Sequence, residues 1–184
     1  MTTVWDNTKE NIQFAKDKVI KELPSESNRL QLDCASEYFM DSYFLERFQK
    51  ESLLTLKENY VLVEMSYLNA PIQLYEILFE LQLKGYQPVL AHPERYTYWH
   101  RHPKAFQRFV ERGAWLQVNI SSLLGHYGKP IQQVAKTLWR EGHVSLLGTD
   151  LHHDQHLHLF QRFEKDKEIH KLLTQFPLEN MQLF

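Results

Sequence analysis

Cysteine is almost absent from this chain: of 184 residues, Cys34 is the only one. One cysteine excludes an internal disulfide and any Cys-x-x-Cys metal knuckle, and it fits a reducing cytoplasm. It also cannot head a cysteine-nucleophile phosphate loop, which needs an arginine six positions on, where this chain has Met40. Positive charge is not in surplus. The formal charge is −2 with histidine neutral, so no broad field exists to hold nucleic acid or an anionic membrane. No apolar run approaches the ~20 residues of a membrane helix, and the opening MTTVWDNTKENIQFAKDKVI lacks the basic-then-apolar start of a signal peptide. The expectation is a cytoplasmic protein with no nucleic-acid partner and no membrane insertion. GHYGKP, at 125–130, has Gly-Lys but neither the following Ser/Thr nor the earlier Gly of a phosphate-binding P-loop. No Gly-x-Ser-x-Gly elbow occurs.

What the chain does have is a rhythm. Glu37, Glu64, His92, Asn119 and Asp150 follow one another at intervals of 27, 28, 27 and 31 residues, each at or near the end of an apolar stretch. One strand, one helix and two short loops take roughly that length. Strands are expected at Leu30–Ser36 leading into Glu37, at Tyr60–Met65, Pro88–Ala91, Trp115–Ile120 and Val144–Thr149. Helices are expected at about 7–22 with Asn7 as cap, then at 42–50, 72–84, 103–112, about 129–141 and about 156–174, with Pro24 through Asn28 as a turn. Alternation of strand and helix implies an α/β fold with a parallel sheet and right-handed crossovers. No linker or composition break divides the chain, so residues 1–184 form one domain. In β/α barrels the active site is assembled at the carboxyl ends of the strands, and the spacing of these polar residues points to a metal-dependent hydrolase.

Glu64 interrupts VLVEMS, a run that should be buried, and a buried carboxylate needs a cation or strong donors; its plain alternative is a place just past the strand, facing solvent. His92 follows PVLA, with Pro93 fixing the chain direction after it. Arg95, in the same AHPER segment, matches phosphate oxygens with paired donors, unless it pairs with Glu94 or another surface acid. Asp150 and His152 form an Asp-x-His pair suited to zinc, manganese or iron. His153, His156 and His158 are expected at the surface or behind the ligands. Glu37 is a weak signal alone, and Asn119 is a hydrogen-bonding position, not a ligand.

The stretches LQLKGYQPVLAHPERY, YVLVEMS and LLGTDLHH resemble the PHP (polymerase and histidinol phosphatase) superfamily, and within it the bacterial protein-tyrosine phosphatases of capsular and exopolysaccharide gene clusters. The resemblance runs from about residue 5 to 180. It implies a distorted, here incomplete, PHP-type β/α barrel with up to three divalent ions (Mn, Fe or Zn) at the strand carboxyl ends. It also implies hydrolysis of phosphotyrosine on a bacterial tyrosine kinase that controls polysaccharide export. Carried over by position, Glu37, Glu64, His92, Asp150 and His152 match metal ligands, and Arg95 matches the catalytic arginine facing phosphate.

One departure is large. Members of that family open with a strand carrying His-x-His, followed by a further histidine, and neither precedes MTTVWDNTKEN here. The expectation is therefore a domain truncated at its amino terminus. It should bind fewer than three metals, have impaired activity, and self-associate through an exposed amino-terminal edge. Two rival functions share these residues: another PHP phosphoesterase of the histidinol-phosphate kind, and a non-catalytic fragment.

Overall fold

The computed structural model describes residues 8–24, 32–175 and 178–180. Five strands, β1 (Glu37–Phe39), β2 (Tyr60–Glu64), β3 (Gln87–Ala91), β4 (Trp115–Asn119) and β5 (Leu146–Gly148), form one sheet in chain order. Every pairing is parallel. The helices are α1 (Lys9–Glu22), α2 (Ser42–Lys50), α3 (Leu74–Leu83), α4 (Lys104–Glu111), α5 (Ile120–Leu123), α6 (Lys129–Arg140), α7 (Leu157–Lys165) and α8 (Lys167–Gln175).

Consecutive parallel strands joined by right-handed crossovers carry their helices on one face, as in a barrel wall. The side chains obey this. Phe44 and Phe48 of α2, Ile77 and Leu81 of α3, Phe109 of α4 and Trp139 of α6 share one core with Val61, Val63, Leu90, Leu116 and Val118. Because side chains alternate along a strand, Tyr60, Leu62, Val89, Trp115 and Leu146 gather on the opposite face. The sheet does not close: β1 and β5 are its two edges, which is an incomplete barrel. The β5 edge is covered by the chain's own end. The Glu179 N–H donates to Ser145 O (2.9 Å). The Asn180 side-chain amide accepts from Leu147 N–H (2.8 Å) and donates to Leu147 O (3.1 Å), as a paired strand would.

Three details differ from the sequence-based expectation, and one expected turn lies mostly outside the described residues. Residues 32–36 have no regular structure, and Glu37 opens β1 instead of following it; positions 30 and 31 lie outside the described residues. The cause is Ser36, whose N–H bonds Leu54 O and draws the chain off the ladder before Glu37. Asn7 lies outside the described residues, and α1 is capped by Thr8, whose hydroxyl accepts from Asn11 N–H. Of the turn expected from Pro24 to Asn28, only Pro24 is described. The single tail helix is two, because the Asp166 carboxylate accepts from the N–H groups of Glu168 and Ile169 and starts α8 afresh.

Candidate metal centre

Three of the spaced polar residues meet at one point. Glu64 ends β2 on the same face as Tyr60 and Leu62, His92 directly follows β3, and Glu37 begins β1 next to them. His92 Nε2 is 3.1 Å from Glu37 Oε1 and 3.6 Å from Glu64 Oε2. One ligand atom from each of the three lies within 4.8 Å of the others. His92 holds a left-handed backbone (φ 36, ψ 52) directly before Pro93, a combination that bulky residues and pre-proline sterics both disfavour. Asp150 is also left-handed, at φ 49. Strain of this kind collects at functional sites, where the surroundings hold it in place.

The electrostatics call for a cation. Burial, then the neighbouring Glu37 charge, raise the Glu64 carboxyl above its ordinary value. Burial of His92 works against its protonation, yet the hydrogen bond and charge of Glu37, with Glu94 behind, outweigh it and raise His92. His92 Nδ1 is buried with no hydrogen-bond partner among the described residues. Two carboxylates crowded on a buried imidazole are a donor set that fits zinc, manganese or iron.

Asp150 and His152 stand beside this trio and not within it. Asp150 Oδ2 accepts from Arg95 Nη1 (3.0 Å) and from Asn119 Nδ2 (2.8 Å). Its Oδ1 is 3.2 Å from His152 Nδ1, and the His152 side chain is exposed. Asn119 is the hydrogen-bonding position its sequence context implied: it is buried, and its Oδ1 accepts from Gln117. A cavity of about 430 Å³ opens over the site, walled by the trio, Arg95, Asp150 and His152 together with Tyr67, Tyr127, His153 and His156. A second cavity of about 230 Å³ lies on the Leu62 face of the sheet, between Leu56, Leu62, Leu146 and Asn180.

Sequence reasoning missed several of these residues. Tyr67 lies three positions past Glu64, on the same strand exit, and could have been sought there. Tyr127 belongs to GHYGKP, where no local signal marks it. His153 and His156, expected at the surface or behind the ligands, line the cavity, with His153 exposed. The sequence offers Glu94 only as a surface partner for Arg95. It is fully buried, accepts from Asn119 N–H (3.0 Å) and ties the loop after β3 to the end of β4; burial raises its carboxyl. Cys34 is half-buried with Sγ 3.8 Å from Gln13 Oε1, and it does not line this cavity.

The comparisons with known proteins agree on one family. The family model described as capsular polysaccharide synthesis, CpsB/CapC, matches residues 2–159. The tyrosine-protein phosphatase YwqE of Bacillus subtilis is 29% identical over 150 residues, covering 81% of this chain and 59% of YwqE. The tyrosine-protein phosphatase CpsB of Streptococcus agalactiae is 24% identical over 152 residues, covering 79% of this chain and 63% of CpsB. The chain thus spans about three fifths of the length of these curated relatives. Among solved structures, one from the work on YwqE of Bacillus subtilis and CpsB of Streptococcus pneumoniae, described as unique metal-dependent tyrosine phosphatases, superposes with a TM-score of 0.76. It is 26% identical, and the match covers 93% of this chain and 73% of that one.

Proposed function

The chain belongs to the CpsB/CapC family of capsular polysaccharide synthesis, and from that membership and the Glu37–Glu64–His92 cluster we propose a metal-dependent protein-tyrosine phosphatase. The observation that carries the proposal is the convergence of those three donors within 4.8 Å at the carboxyl-end rim of a parallel sheet. Glu37, Glu64 and His92 would hold a divalent ion, manganese, iron or zinc, with Asp150 and His152 completing the ligand set. Fewer than three ions per chain are proposed. When bound, such an ion supplies Lewis-acid chemistry: it draws charge from phosphoryl oxygens and makes water acidic enough to attack near neutral pH.

The chain's own residues do the rest. Arg95 presents a planar set of donors to the cavity, the geometry that matches phosphate oxygens and the charge that grows on them in the transition state. Glu64, partly buried at the end of β2, would give the ion a negatively charged oxygen donor. Asn119 and Arg95 hold Asp150 at the cavity wall. The substrate proposed is phosphotyrosine on a bacterial tyrosine kinase that regulates capsule or exopolysaccharide synthesis, and the location proposed is the cytoplasm. Among the described residues no helix is long and apolar enough to cross a membrane. The β1 edge of the sheet is the proposed route of self-association.

Turnover of a phosphotyrosine peptide by purified, chelated and manganese-restored protein tests the proposal. Activity lost on chelation and regained with metal supports it. Activity indifferent to chelation, or preference for small alkyl phosphates over phosphotyrosine, contradicts it.

A further inference from the structure

Two aromatic rings flank the Arg95 guanidinium. Its Cζ lies 4.7 Å from the ring centroid of Tyr67 and 4.4 Å from that of Tyr127, both inside the ~6 Å range of a cation–π contact. A guanidinium on a long side chain is otherwise costly to fix in one orientation. Contact with two rings restricts where that guanidinium can point. One edge nitrogen, Nη1, is engaged by Asp150. The Tyr67 ring also stacks on His92, at 5.7 Å and 26°. One side chain thus touches both the proposed metal ligand and the proposed phosphate clamp.

Both tyrosines are set by local construction. On the Tyr67 side, Met65 N–H donates to the Tyr96 hydroxyl (2.9 Å) and the Tyr98 hydroxyl donates to Ser66 O (3.1 Å). On the Tyr127 side, Gly125 and Gly128 take left-handed backbones, φ 81 and 93, which residues with a Cβ adopt only with strain. Gly128 N–H closes the turn onto Gly125 O, and His126 N–H ties it to Ser121 O, each at 3.0 Å. A Cβ on Gly125 would meet the Gln132 amide at 3.2 Å, and that amide is itself bonded to Leu123 O. GHYGKP, which has no phosphate-loop chemistry, is therefore a turn that delivers Tyr127 onto Arg95.

We infer that Tyr67 and Tyr127 are positioning residues that clamp the Arg95 guanidinium at the cavity wall, so that it meets phosphate without first being ordered. The inference rests on the phosphatase reading above. The experiment is calorimetric titration of inorganic phosphate into the manganese-loaded full chain. Wild type is compared with Tyr67→Phe, Tyr127→Phe, Tyr67→Leu and Tyr127→Leu, each also in an Arg95→Ala background.

The Phe variants keep the π face and should bind phosphate within about twofold of wild type. Each Leu variant should bind about tenfold more weakly, in line with a partly desolvated cation–π contact, at unchanged metal content. In kinetics the same loss should appear in KM for phosphotyrosine peptide more than in kcat. In the Arg95→Ala background the Leu substitutions should have no further effect, which a general loss of structure would not produce. Phosphate binding by the wild type that is unaltered in the Leu variants overturns the clamp and leaves the phosphatase reading standing. So does equal loss in the Phe variants, or a Leu effect that persists without Arg95. A wild type that binds no phosphate at all overturns both.

Discussion

Arg95 and Asp150, 55 residues apart in sequence, meet at 3.0 Å across the mouth of the candidate metal centre. The pair lies at the cavity wall with Arg95 about a quarter exposed, where a charge-assisted bond is worth more than at the open surface. It places a guanidinium in the same cavity as the carboxylates of Glu37 and Glu64.

Arg95→Ala should lower kcat/KM for phosphotyrosine peptide by about 100-fold, the order lost with one oriented donor on developing charge, while metal content stays at the wild-type level. Steady-state kinetics with elemental analysis check this. Wild-type kinetics in the variant would reduce Arg95 to a partner of Asp150.

Glu64 carries a pH signature. Its folded-state carboxyl lies above the ordinary 4.5 because of burial and Glu37. A raised group contributes stability that is present below its unfolded pKa and lost as pH rises through its folded value. Charged Glu64 therefore weakens the metal-free fold near neutral pH. In excess chelator, Glu64→Gln should melt above wild type at about pH 8, and the gap should close toward about pH 4. Thermal denaturation across that range measures it; a variant less stable than wild type at the higher pH contradicts the assignment.

Asn180 caps an otherwise open sheet edge with two hydrogen bonds to Leu147. Each such bond contributes ~0.5–1.5 kcal/mol net, so Asn180→Ala should cost about 1–2 kcal/mol in denaturant unfolding. An unchanged midpoint would mean that the chain end does not hold β5.

Much of the frame was legible in the chain. Runs such as YVLVEM and QPVLAH mark strands by composition, and the polar residue closing each one marks the rim, so Glu64, His92 and Asn119 could be placed without coordinates. Glu37 was harder. Its strand is three residues long and begins with it, a boundary set by the Ser36–Leu54 contact and not by any local pattern. The Arg95 surroundings were not legible at all. Asp150, Tyr67 and Tyr127 reach it from three separate loops, and no sequence spacing encodes which loops approach one another. The burial of Glu94 was hidden likewise, since its partner is the backbone of Asn119, 25 residues on.

The most direct test of the central claim is a manganese titration of the chelated chain beside its Glu37→Gln/Glu64→Gln double variant, with phosphotyrosine-peptide turnover read on the same samples. The substitutions keep side-chain shape and remove the two charges. Wild type should take up at least one ion per chain and turn over peptide. The double variant, folded by circular dichroism, should lose that ion and the turnover with it. Equal stoichiometry and affinity in the two proteins would contradict a metal centre built on Glu37, Glu64 and His92.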